Sequence, residues 1–113
     1  MSEMGQQLPV APKETYEETH ETQVFRLYVS AASPVSSRAI VNVRRFFERY
    51  LPGEHRLSVL EISENVGLAR ADQIYASPTL IRVSPLPHRR FIGAITESEK
   101  LRVALGLADQ PAQ

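Results

Sequence analysis

Three prolines inside one ten-residue stretch limit what this chain can fold into. Residues Ala76 to Gly93 read ASPTLIRVSPLPHRRFIG, with β-like runs Thr79-Leu80-Ile81-Arg82-Val83 and Arg90-Phe91-Ile92. Pro78 heads the first run, and Pro85 and Pro87 separate the two. Proline has no backbone N–H to give to a ladder, so it belongs at strand starts, edges and turns. The segment therefore reads as a hairpin with a stiffened turn. The Ser77-Pro78 bond at its head is a candidate for the cis isomer, which costs an X-Pro bond only about 0.5–1 kcal/mol.

Upstream, Val24-Phe25-Arg26-Leu27-Tyr28-Val29 is a nearly continuous apolar run, as expected of a strand covered on both faces. Ser30 to Pro34 breaks it, and Ser33 or Ser36 is placed to cap a helix. Ala39, Ile40, Val43, Phe46, Phe47, Tyr50 and Leu51 then recur at helical spacing, opposite Arg38, Asn42, Arg45 and Arg49. Pro52-Gly53 stops that helix. Arg56 to Ile62 alternates as a second strand, and Glu64 to Ala76 predicts a second helix, weakened by Gly67. After the hairpin, Thr96-Glu97-Ser98-Glu99 is a capping box ahead of Leu101, Val103, Ala104, Leu105 and Leu107. The order is β-α-β-α-β-β-α. Strands joined through a helix run parallel with a right-handed crossover, and the closing pair is antiparallel. The expected fold is α/β, a thioredoxin-like four-stranded mixed sheet, with Pro78 where that fold carries a cis-proline before its third strand.

The 113 residues make one domain's worth of chain, 42% apolar and 23% charged, the balance of a soluble globular protein. Residues 1–22 hold five glutamates against one lysine, a net −4 that leaves +4 on the remainder. We read 1–22 as an acidic arm without fixed structure, 23–108 as the domain and 109–113 as a short tail. The asymmetry is too small, and aromatics beside the arginines too few, to argue for nucleic acid. No apolar run reaches the roughly 20 residues that span a membrane, and the start lacks a signal-peptide pattern, so a cytoplasmic location is expected.

Chemistry is constrained by what is missing. There is no cysteine, which removes thiol redox chemistry from a fold that often performs it. Ser33, Ser36 and Ser37 occupy the corresponding loop, but no histidine lies in sequence reach to activate them, and helix capping is the simpler role. A cysteine-free enzyme on this fold would need a pocket built around Ser33 to Ser37. His20, His55 and His88 share no metal-ligand spacing with carboxylates, so neither a metal nor a cofactor is expected. The paired arginines Arg44-Arg45 and Arg89-Arg90, with Arg38 and Arg82, read either as solvated faces or as contacts to an acidic protein partner.

Five blocks carry a resemblance to a known family. They are Leu27-Tyr28-Val29, Ser33-Pro34-Val35-Ser36-Ser37-Arg38-Ala39, Ala76-Ser77-Pro78-Thr79-Leu80, Pro85-Leu86-Pro87-His88-Arg89-Arg90-Phe91-Ile92-Gly93 and Ser98-Glu99-Lys100. From Phe25 to Leu107, about three quarters of the chain, the sequence resembles the KaiB clock proteins. The resemblance implies a non-enzymatic regulator that binds a KaiC-type ATPase and modulates its phosphorylation and ATPase cycle. It implies a homo-oligomer, dimer or tetramer, and a metamorphic chain whose ground-state fold is β-α-β-β-α-α-β. Arg38, Arg89 and Arg90 match basic positions that look like partner contacts. Pro78, Pro85, Pro87 and Gly93 fall in the half expected to refold and are hinge candidates. Ala94 stands where the family has Asp, and Glu64 and Gln73 replace family lysines. A second reading is a thioredoxin-like interaction domain in a stress or two-component pathway, similar to the sensor domain of clock histidine kinases, with a kinase as partner.

Overall fold

The computed structural model describes residues 22–92, 95 and 97–107. The arm (1–21), Gly93, Ala94, Thr96 and 108–113 lie outside the described residues. The elements are β1 (Gln23–Val29), α1 (Pro34–Tyr50), β2 (His55–Glu61), a 3-10 turn (Ile62–Glu64), α2 (Val66–Ala71), β3 (Thr79–Ser84), β4 (Arg89–Phe91) and α3 (Ser98–Ala104). They build one four-stranded sheet in the order β2-β1-β3-β4. β1 runs parallel to β2, from Gln23 opposite His55 to Val29 opposite Glu61. β3 is antiparallel to β1, with Leu27 opposite Leu80, and β4 is antiparallel to β3, with Leu80 opposite Phe91. The expected β-α-β-α-β-β-α order and the mixed thioredoxin-like sheet are what the chain forms.

Alternation along β1 divides the molecule. Phe25, Leu27 and Val29 point to one face and join Ala39, Val43, Phe46 and Phe47 of α1, Leu80 and Phe91 of the hairpin, and Leu101 and Leu105 beyond. Phe47 is the aromatic centre of this layer, with ring centroids 4.3 Å from Phe25 and 5.6 Å from Phe46. The opposite face is thinner. Tyr28, Ala69 and Ile81 are its buried members, flanked by Leu60, Ile62, Ile74 and Val83.

Local signals place the helix ends. Ser33 caps α1, its Oγ accepting from the Ser36 amide at 3.3 Å, and Pro34 fills the first turn, where its missing N–H costs nothing. Gly53, at φ 71°, turns the chain from α1 into β2, a conformation that favours glycine. Two expectations are corrected. The second helix is only Val66–Ala71, not Glu64 to Ala76. Gln73 takes φ 56°, its N–H bonds to the Arg70 carbonyl and the Ile74 N–H to the Ala69 carbonyl, which closes the helix with a left-handed cap. The last helix has Glu97 at its N-cap with no side-chain bond and begins at Ser98; Thr96 of the expected capping box lies outside the described residues.

The Ser77-Pro78 bond is cis, as are Ser84-Pro85 and Leu86-Pro87. Pro78 is buried at the head of β3, and the Thr79 hydroxyl beside it donates to the Ala76 carbonyl at 2.7 Å.

Phe47 fills the centre of the thick layer with 0% exposure. Phe47→Ala should therefore lower unfolding free energy by about 3–5 kcal/mol in a urea titration. A loss under 1 kcal/mol would mean that the layer can collapse around the gap.

Candidate partner-binding surface

The serine loop is occupied with structure. Besides the Ser33 cap, the Ser36 hydroxyl is buried and accepts from the Ser30 N–H at 3.1 Å. His55 sits at the far end of α1, its Nδ1 2.7 Å from the Leu51 carbonyl and its ring 5.0 Å from Phe47. Neither Ser33 nor Ser36 has His55 as a base. Among the described residues, no group of three His, Asp or Glu could hold a metal ion.

The three arginines expected to contact a partner do not share one face. Arg38 is exposed on the first turns of α1. Arg89 and Arg90 are neighbours on the edge strand β4, so they point to opposite sides of the sheet. Arg89 lies opposite Arg82, on the side of the thick layer. Arg82 is itself buried; it donates to the Pro87 carbonyl at 3.1 Å while its Nε finds no partner. Burial, and then the charge of Arg89, pull the Arg82 guanidinium down from its ordinary value. Arg82 thus ties the proline turn to β3, and Arg89 beside it is exposed.

Arg90, on the other side, has an internal role that the sequence pattern did not suggest. Its guanidinium donates to the Asp72 carbonyl at 2.6 Å and the Gln73 carbonyl at 3.0 Å, at the C-terminal end of α2. Cations are favoured there, because the last carbonyls of a helix are unsatisfied. The Asp72 side chain accepts from Arg26 at 2.8 Å and from the Tyr28 hydroxyl at 2.5 Å. One residue thereby joins β1, α2 and β4. Burial would raise the Asp72 carboxyl, but the hydrogen bonds of Tyr28 and Arg26, with the charges of Arg26 and Arg90, hold it below the ordinary range. Burial and the hydrogen bond to Asp72 push the Tyr28 phenol up to about 12. Arg26 and Tyr28 were visible as members of the first strand, but nothing in the sequence paired them with Asp72, 44 positions beyond Tyr28.

Around this network lies an open surface. Val66 and Leu68 of α2 are half or more than a third exposed, and Tyr75 is 88% exposed. A shallow groove of about 290 Å³ lies between Val66 and Tyr75, lined also by Ile62, Ala69, Arg70, Gln73 and Ile74. Leu86, at the tip of the hairpin, is 73% exposed. The surface offers hydrophobic contact framed by arginines, which suits protein binding better than small-molecule chemistry.

A family model described as the KaiB domain matches residues 26–107. The chain belongs to the KaiB family. It is 36% identical over 98 residues to the circadian clock oscillator protein KaiB of Synechococcus elongatus, covering 87% of this chain and 89% of that protein. As a member of that family it is a KaiB-like clock protein. Solved structures place the fold. The N-terminal domain of Synechococcus elongatus SasA matches with a TM-score of 0.62 at 17% identity, covering 80% of this chain and 86% of that one. Mitochondrial thioredoxin 3 of Saccharomyces cerevisiae matches with a TM-score of 0.62 at 10% identity, covering 76% and 78%. No helix among the described residues is long and apolar enough to cross a membrane.

A depressed carboxyl stabilises the fold above its ordinary range and loses that contribution as pH falls through its folded value. Asp72→Asn should cost about 1–3 kcal/mol at pH 7, since it weakens charge-assisted bonds from Arg26 and Tyr28. The gap between wild type and variant should narrow on acidification from pH 5 to pH 2.5 in denaturant titrations. A gap that stays constant with pH would show that the carboxylate charge is not what matters.

Proposed function

We propose that this protein is a non-enzymatic regulator that binds a KaiC-type ATPase and modulates its phosphorylation and ATPase cycle. The observation that carries this reading is the match of the KaiB family model across nearly the whole folded domain, residues 26–107. The absence of cysteine fits it, because the domain keeps the thioredoxin-like arrangement without the thiol chemistry. So does the loop before α1, whose serine hydroxyls accept backbone N–H bonds.

Within this reading, Arg38 and Arg89 are the partner-facing charges. Both are exposed, and neither has an acidic partner among the described residues. Their work is charge complementarity with an acidic surface of the ATPase, which steers encounter and sets orientation. Arg90 has a supporting part: it holds α2 in place beside the exposed Val66, Leu68 and Tyr75, and these supply the apolar contact. Arg38→Glu combined with Arg89→Glu should weaken association with a KaiC-type ATPase at least tenfold in fluorescence anisotropy, and the loss should shrink in high salt. Undiminished binding by the double variant would remove these residues from the interface.

We also propose that the thioredoxin-like form is the binding-competent one, exchanging with an oligomeric ground-state fold in which Pro78, Pro85, Pro87 and Gly93 lie in the refolding half. A gap of a few kcal/mol between two packings is enough for such exchange. Amide NMR spectra recorded across a dilution series should show two sets of peaks whose ratio follows concentration. One unchanging set in a single oligomeric state would remove the second fold.

A further inference from the structure

A second cationic feature lies away from the hairpin and is unused by the reading above. A cleft of about 400 Å³ opens between the C-terminal half of α1 and the start of α3, lined by Asn42, Arg45, Phe46, Arg49, Tyr50 and Ser98. Its floor is aromatic: Phe46 is buried, with its ring 4.9 Å from that of Tyr50. Its rim is cationic. Arg45 and Arg49 stand four residues apart on one helix, so their like charges lie side by side. Arg49 lies 5.4 Å over the Tyr50 ring, a contact that holds the guanidinium without neutralising it.

The carboxylates closest in sequence do not quench this charge. On α3, Glu99 pairs with Arg102, and Glu97, one residue ahead of the helix, pairs with Lys100 at 3.1 Å. On α1, Glu48 makes no ion pair with Arg45 or Arg49 among the described residues. The side chains of Asn42 and Ser98 likewise have no hydrogen-bond partner among the described residues. The cleft presents two guanidiniums with no carboxylate among its lining residues.

The chain carries a matching anion in its own sequence. Glu14, Glu17, Glu18 and Glu21 all precede β1, and residues 1–22 balance the +4 of the rest with −4. The topology delivers this segment to the cleft. Gln23 donates its N–H to the Glu54 carbonyl at 3.0 Å, and Glu54 donates to the carbonyl of Leu51, the C-cap of α1. The arm therefore joins the domain beside the last turn of α1, where Arg49 sits. Nine residues of extended chain reach about 30 Å, so Glu14 through Glu21 can all come to the cleft without unfolding anything. We propose that the glutamates of the N-terminal arm dock in cis on Arg45 and Arg49, so that the arm is a built-in competitor for any acidic partner approaching this face.

Because the chain has no cysteine, Thr19→Cys gives a unique site for a nitroxide spin label on the full-length protein. The amide signals of Asn42, Arg45, Arg49 and Ser98 should lose more than half their intensity, while those of Arg70 and Leu86 keep theirs. Arg45→Glu with Arg49→Glu should abolish the loss, as should 0.5 M salt. Adding Glu14→Lys, Glu17→Lys, Glu18→Lys and Glu21→Lys to that reversed background should restore it. If the arginine variant fails to fold, the four lysine substitutions alone decide, because they lie outside the domain: the loss should vanish. No broadening at the cleft, or broadening that survives both salt and charge reversal, overturns the proposal. No ATPase enters the experiment, so its outcome is independent of the function proposed above.

Discussion

The structure depends on β1 presenting two different surfaces from one run of seven residues. It is hydrogen-bonded on both edges, to β2 and β3, so its side chains can only project up or down. Upward go Phe25, Leu27 and Val29, into a layer thick enough to bury the inner faces of α1 and α3. Downward go Arg26 and Tyr28, where the cover is the six residues of α2 with Ile62 and Ile74 on either side of it. Six residues bury too little apolar surface to hold themselves on a sheet, and a helix so short is unstable alone. The thin face is held instead by a carboxylate between a guanidinium and a phenol.

This division explains what was legible in the sequence. The thick layer announces itself: the helical spacing of Ala39, Val43, Phe46 and Phe47 and the nearly continuous apolar run of β1 are both consequences of burial, and both were readable. The proline positions were readable too, because Pro78, Pro85 and Pro87 can only stand at the head of a strand or in its turn. The thin face was not. The pattern Val66, Leu68, Ala71, Ile74 suggested a longer helix, but Gln73 is left-handed and Ile74 reaches the Tyr28–Ile81 cluster from beyond the helix end. Periodicity cannot register a cap made by backbone bonds in a residue other than glycine.

The partner surface divides in the same way. Adjacent arginines on an edge strand look like one basic patch in a sequence and become two like charges on opposite sides of the sheet in three dimensions. Arg89 is exposed beside the buried Arg82; Arg90 is taken up by the end of α2. Their identity as a pair was visible, and their separation followed only from the registry that sets Leu80 opposite Phe91. Similarly, Asn42, Arg45 and Arg49 were readable as one polar helix side, whereas the cleft they form with Ser98 required knowing where the last helix lies.

The bonds from Arg90 to the carbonyls of Asp72 and Gln73 have a mechanical consequence. β4 has three residues and one sheet neighbour, and α2 has less than two turns; these are the shortest strand and the shortest α-helix among the described residues. The same few bonds anchor both. If α2 unwinds by a turn, the carbonyls that receive Arg90 disperse and the edge strand is left with β3 alone. If the edge strand peels away, the end of α2 loses its cation. The two parts of the molecule least able to hold themselves are therefore tied to each other, and Phe91, next to Arg90 in the chain, carries any loosening of the edge into the aromatic layer on the other side of the sheet.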